Sequence, residues 1–263
     1  MVAKSNCYDY GLRFYDPALA RFRTQDPRSE KYFSLSPYNY VANNPVLFID
    51  PRGDTIKYAD NLSKDQRTQL TSTIADLKND AGFSKLFGLL ESSKSVFTIG
   101  SYSHKSANEN TPGFFNPRTN EISILDYDEG SIHGTVMEEL FHAFQYEFYG
   151  SEKAAKLRST TALETEAKLF RSQNKQNFGL SENDLQYGLL GASATFNFAT
   201  NQTTSDFVNA LESGGPVDSN VARKFETFYR SQHRVIQNVY KNKSIPSGAN
   251  GFQIAAFKNI YQK

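Results

Sequence analysis

Two hydrophobic periods divide the chain. Residues 8–53, YDYGLRFYDPALARFRTQDPRSEKYFSLSPYNYVANNPVLFIDPRG, set aromatic against polar positions in short alternating runs, the period of a strand with one buried face. Asp16-Pro17, Asp26-Pro27, Asn44-Pro45 and Asp50-Pro51 interrupt those runs. Proline fixes φ and pushes the preceding residue toward extended geometry, so this part predicts short strands and turns without helix. After Asp54 the Asp-Pro steps stop and a helical period takes over. Ser63 reads as an N-cap ahead of Leu70, Ile74 and Leu77, which predicts one or two helices between 63 and 92. SVFTIGSYSH reads as a strand, and PGFFNPRTNEISILDYD as a hairpin turning at Asn116 to Asn120, with Ile122 and Ile124 or Leu125 alternating. A helix from about Thr135 to Tyr149 follows, then one around 152–173, a less regular segment over 181–212, and a long amphipathic helix near 219–241. The class is α+β.

The helix over 135–149 carries the candidate chemistry. Val136, Leu140, Phe141, Phe144 and Phe148 form its apolar side, and Glu138, His142, Gln145 and Tyr149 an adjacent polar stripe. Glu138-Glu139-Leu140-Phe141-His142 differs in one position from HExxH, where two histidines a turn apart hold zinc and the glutamate between them works on its water. Residues four apart lie one above the other, so Glu138 and His142 can reach one ion. Glu139 points roughly 100° away around the axis, where a base would stand. The same stripe on a solvent-facing helix would need no ion at all.

A metal site needs a third protein ligand. ALETEAKLF, about twenty residues on, offers Glu164 and Glu166, which differ by roughly 200° around a helix. Glu166 shares a face with Leu163, Ala167 and Phe170, whereas Glu164 lies with Thr160, Lys168 and Arg171. Glu166 is therefore the expected buried carboxylate, giving a metal set of Glu138, His142 and Glu166 with Glu139 as catalytic base. Two carboxylates and one imidazole suit zinc and also tolerate manganese, iron or calcium. His233 and Tyr240 on the last helix are candidate oxyanion donors; His133 and His104 lack ligand spacing to His142.

Bulk composition narrows the classes. Twenty-nine lysines and arginines against 28 aspartates and glutamates leave a formal charge of +1 over 263 residues, with no basic run to hold nucleic acid. One cysteine, Cys7, excludes an internal disulfide and a thiolate-rich zinc cluster. No apolar run reaches the roughly 20 residues of a membrane span, and residues 1–15 lack the order of a signal peptide. HNH spacing and a Gly-rich phosphate loop are both missing, which leaves a nuclease reading without support.

YDYGLRFYDPALARF, TQDP, SPYNYVANNP and IDPRG, in that order, resemble the C-terminal end of the RHS/YD-repeat core, the domain closing the β-shell of bacterial RHS and Tc-type proteins. The resemblance implies that residues 1–54 are the tail of a longer shell-forming chain and that 55–263 are its variable cargo, frequently a toxin. It also implies secretion or delivery from a bacterial cell as part of that larger protein, with the parent shell and an immunity protein as partners. In that family an aspartate pair releases the cargo by autoproteolysis; the matching positions are Asp26 and Asp50, although Asp54 stands after Gly53 where the family has leucine. The other reading of both aspartates is turn-forming Asp-Pro. Ile-Ser-Ile-Leu, EELFHAFQ and ETEA resemble the gluzincin order of edge strand, active-site helix and glutamate helix, over residues 95–175. That resemblance implies a zincin-like metallopeptidase acting on a peptide or protein substrate that pairs with NEISILDY, or an inactive descendant serving as an interaction or shell-plug module.

Overall fold

The structure, a computed structural model, describes residues 7–9, 13–26, 36–40, 56–101, 112–127, 129–174, 201–246 and 254–263. Asp50, His104 and the segment 181–200 lie outside the described residues. The chain divides into two compact units, Met1–Lys57 with Glu91–Val96, and Tyr58–Leu90 with Phe97–Lys263. The described residues are mixed α and β, with two small sheets.

In the first unit β1 (Tyr8–Asp9), β2 (Phe14–Asp16) and β3 (Arg21–Phe22) form an antiparallel sheet. The turn after Asp16-Pro17 is closed by Asp16 Oδ1, which accepts the N–H of Ala18 at 3.0 Å. Tyr15, Phe22 and Tyr40 pack ring against ring. Arg13, buried, lays its guanidinium 3.7 Å from the Phe22 ring centroid and pairs with Asp26 at 3.0 Å.

Strand β4 (Ile56–Tyr58) runs into the second unit, which begins at Tyr58, and the Ala59 N–H after it donates to Ile99. Helix α1 (Lys64–Leu77) starts at Ser63, whose hydroxyl accepts from Gln66 while the Gln66 side chain returns to the Ser63 N–H, a reciprocal cap. Leu70, Ile74 and Leu77 face inward as their spacing predicts. Helix α2 (Ala81–Glu91) is capped by Asp80, and β5 (Phe97–Gly100) follows. The hairpin joins β6 (Gly113–Asn116) to β7 (Glu121–Ile124) through a turn in which Asn116 Oδ1 accepts the Arg118 N–H and Asn120 takes φ 56, a left-handed conformation that asparagine tolerates.

The sheet order is β4-β5-β7-β6, with β5 and β7 parallel. NEISILDY therefore supplies an interior strand, not the expected edge. Ile122, Ser123 and Ile124 are all buried, as a strand covered on both faces requires. The edge on that side is β6.

Helices α3 (Glu129–Tyr149), α4 (Ser151–Arg158), α5 (Ala162–Asn174), α6 (Gln202–Glu212), α7 (Ser219–Val239) and α8 (Ala255–Tyr261) complete the described residues. The single helix expected over 152–173 is two helices. Thr160 breaks it: its hydroxyl donates to Leu157 O at 2.7 Å and accepts the Ala162 N–H at 3.1 Å. The chain beyond α7 locks the break, since Thr161 N–H donates to Ser244 O and Ser244 N–H to Ser159 O.

Helix α5 is the enclosed element. It packs on α3, α4, α7 and α8, and from Ala162 to Ser172 every residue except Glu164 is buried. Phe141 of α3 stacks on Phe170 of α5 with centroids 4.6 Å apart. An α5 surrounded on all sides has no solvent face to hold Lys168 and Arg171, and both are buried. The face that Glu164 shares with Lys168 and Arg171 is thus largely interior as well.

Candidate metal centre

Glu138 and His142 lie one turn apart on α3, and the structure brings Glu164 to them. Ligand atoms of Glu138, His142 and Glu164 all lie within 4.8 Å of one another, and this group could hold a metal ion. His142 Nε2 is 3.8 Å from Glu164 Oε2, and its Nδ1 faces Gln145 Oε1 at 2.8 Å, so Gln145 orients the ring. Burial at His142 and Glu164 is incomplete, each side chain keeping 15% of its surface exposed, so the centre touches solvent.

Glu166 is fully buried, as its helical face predicts, but it is engaged elsewhere. Its carboxylate accepts from Gln145 Nε2 at 2.7 Å, from the Phe257 N–H at 2.9 Å and from the Tyr149 hydroxyl at 3.2 Å. Burial raises its pKa to about 7, with those donors working against the rise. Glu166 therefore ties α3 and α5 to the start of α8, and Glu164 takes the third position in the cluster.

Every carboxylate of the centre has a cation beside it. Lys168 pairs with Glu138 Oε1, and Arg171 with Glu138 Oε2 at 3.2 Å. Lys243, just after α7, reaches Glu164 Oε1 at 2.7 Å. Burial alone would push both acids up, but the neighbouring positive charges outweigh it: Lys168, Arg171 and His142 hold Glu138 below its ordinary value, and His142, Lys243 and Lys168 bring Glu164 down to about 2. Arg171 gets this close because Gly134, one turn before Glu138, has no side chain. A Cβ there would stand 2.5 Å from Arg171 Nε.

Glu139 behaves differently from its neighbours. Burial first, then the charges of Glu138 and Glu164, hold its pKa well above the usual carboxylate value. Its position is set by β6. Leu125 N–H donates to Pro112 O, and the register pairs Phe114 with Ser123. Antiparallel pairing alternates, so the polar groups of Phe115 point away from β7, and the Phe115 N–H donates to the Glu139 carboxyl. The close approach of β6 to α3 depends on Gly113, where a Cβ would lie 2.6 Å from Thr135 Cγ2.

The last-helix candidates separate. Tyr240, at the end of α7, hydrogen bonds to Glu164; that charge, then burial, then Glu138 and Glu139 push its hydroxyl well above the ordinary tyrosine value. His233 sits apart, its Nδ1 2.7 Å from the Thr161 hydroxyl and 3.0 Å from that of Thr165, with burial and then Arg230 lowering its pKa to about 4. His133 lies 3.9 Å from Asp76, outside the cluster. Tyr240, one of the two donors expected on the last helix, thus stands at the cluster, whereas Lys243 was invisible to spacing arguments, since it arrives from about eighty residues downstream through the Ser244 anchor. Asp26 pairs with Arg13, and its proposed partner Asp50 lies outside the described residues.

No family model matches the chain, and no solved structure matches it. Salivary gland surface protein 1 of Aedes aegypti is 46% identical over 50 residues, which are 19% of this chain and 1% of that protein. The chain thus spans about 1% of the curated relative it matches. Among the described residues, no helix is long and apolar enough to cross a membrane.

Proposed function

We propose that the second unit is a metal-dependent, zincin-like peptidase carried as the C-terminal cargo of an RHS-type protein, with a toxin or effector role on peptide or protein substrates. The observation that carries the reading is the convergence of Glu138, His142 and Glu164 beside Glu139. The donor set fits a divalent ion: two ionised carboxylates bring two negative charges, and one imidazole completes three ligands with room for water. Zinc is the first choice, and the oxygen-rich set also suits manganese, iron or calcium.

A bound ion would lower the pKa of its water and polarise a scissile carbonyl. The chain's own groups supply the rest. Glu139, whose carboxyl burial and the neighbouring carboxylates make more basic than usual, would take a proton from that water as base and pass it to the leaving amine. The Tyr240 hydroxyl is the donor at the same centre. Gln145 fixes the imidazole and Lys243 fixes Glu164.

Metal titration of the purified chain, with hydrolysis of an unfolded protein as the second readout, tests this. One bound divalent ion and cleavage, both lost in Glu164→Ala, are expected; a chain that stays metal-free at micromolar zinc or manganese overturns the reading. One observation favours the second reading, a catalytically inactive interaction or shell-plug module: Lys168, Arg171 and Lys243 already balance the carboxylates. Growth arrest on expression, relieved by Glu139→Gln, would decide against that module. The resemblance to the RHS core also supports the parent shell as a partner and an immunity protein as a second one.

A further inference from the structure

We propose that Lys168 is the electrostatic gate of this centre, an internal cation paired with one of the carboxylates an ion would use, which has to move off Glu138 before a metal can enter. The proposal rests on the metal reading above and goes beyond it, assigning to Lys168 the control of when the site loads and with what affinity.

Glu138 is only 8% exposed. One of its oxygens is taken by Lys168 and the other by Arg171. Lone pairs remain on both oxygens, but a divalent ion brought to this carboxylate would stand close to both cations and be repelled by them. A buried carboxylate must in turn keep compensation, because an unpaired charge out of water costs several kcal/mol. Metal and ammonium therefore compete electrostatically for the same carboxylate.

The two cations are not equally free to move. Arg171 is wedged over the backbone of Gly134, its guanidinium filling the space of the missing Cβ, and its planar fork is rigid. Lys168, although buried, is a point charge on a flexible four-carbon stem, and the hydrogen bond of its ammonium among the described residues is to Glu138. It also lies within electrostatic reach of Glu139 and Glu164, so a released ammonium has carboxylates beside it and solvent at the partly exposed side of the centre. Lys168 is the group that yields, and Arg171 stays to hold Glu138 in place.

Removing Lys168 then does the opposite of what removing a ligand does. Isothermal titration of zinc and of manganese into the full chain, Lys168→Met and Lys168→Gln compares the two cases. At least a tenfold tighter metal Kd in the variants is expected. Equal or weaker binding in the variants, with metal bound by the wild-type chain, overturns the gate and leaves the metal reading standing. No binding to any of the three overturns both. Because either variant could fold poorly, amine labelling of the unaltered chain, read residue by residue by mass spectrometry, gives a second test. Lys168 is expected to be protected without metal and to be modified several-fold faster at saturating zinc. An unchanged rate at saturation overturns the gate.

Discussion

Glu166 of α5 accepts the backbone N–H of Phe257 at 2.9 Å, a bond between residues 91 positions apart. The carboxylate that helical period marks as a ligand is thus a fastening for the last helix. Glu164, two residues earlier, points to Glu138 and His142.

The two glutamates should therefore fail in different ways. Glu166→Ala leaves Gln145, Tyr149 and the Phe257 N–H without their acceptor, and unmet buried donors cost about 1–3 kcal/mol each. A large fall in melting temperature is expected, with any folded fraction still binding metal. Glu164→Ala should abolish metal binding at a smaller stability cost, since it frees Lys243 and Tyr240 near solvent. Calorimetry and metal titration on both variants check this, and the reverse pattern would refute the assignment.

The pH dependence follows from the same carboxyl. Burial raises Glu166 from 4.5 to about 7, so between those values the native state binds more protons than the unfolded chain. Stability contributed by this group is present below about 4.5 and lost as pH rises through 7, on the order of 3 kcal/mol in full. His233 has the other sign. Its pKa falls from 6.5 to about 4, so its contribution is present above 6.5 and lost on acidification toward 4. The two windows overlap with opposite slopes, so denaturant titrations between pH 4 and 7 should show stability rising with pH more steeply in Glu166→Gln and falling with pH in His233→Gln, relative to the unaltered chain.

Gly134 and Gly88 make a paired test of packing against propensity. Alanine improves an exposed helix interior by about 1 kcal/mol over glycine, and a Cβ at Gly88 meets nothing within 4 Å. Gly88→Ala should raise the melting temperature. At Gly134 the Cβ would drive Arg171 off Glu138, so Gly134→Ala should lower stability by about 1–3 kcal/mol despite the helical gain. Chemical denaturation with both variants measures the difference.

Glu139→Gln should keep the fold, because the amide oxygen still accepts the Phe115 N–H. Hydrolysis of a peptide substrate should fall by about 10²–10⁴-fold, the usual worth of a proton-transferring side chain. Circular dichroism beside an activity assay checks both halves, and undiminished hydrolysis would remove Glu139 from the chemistry.

Much of the local structure was legible from spacing and caps. Ser63 announced α1, Asn116 to Asn120 announced the hairpin, and the apolar side of α3 is buried at Val136, Leu140, Phe141 and Phe144. Phe148 is the exception at 40% exposed, near the helix end. Period failed on α5, because a two-sided reading of a helix assumes one face in water, and in this helix only Glu164 between Ala162 and Ser172 is not fully buried. It failed on β7 too, because alternation cannot tell an edge strand from one paired on both sides. Helix α8 was not foreseen; seven residues carry too little period to detect.

The sequence alone determined which groups one helix presents, since a turn of 3.6 residues sets Glu138 under His142 and turns Glu139 aside whatever surrounds them. Tertiary structure decided which carboxylate joins them and which cations oppose them. Glu164, Lys168, Lys243 and Tyr240 reach the centre through the packing of α5 and the Ser244 anchor, contacts between residues far apart in the chain, and no local period encodes those.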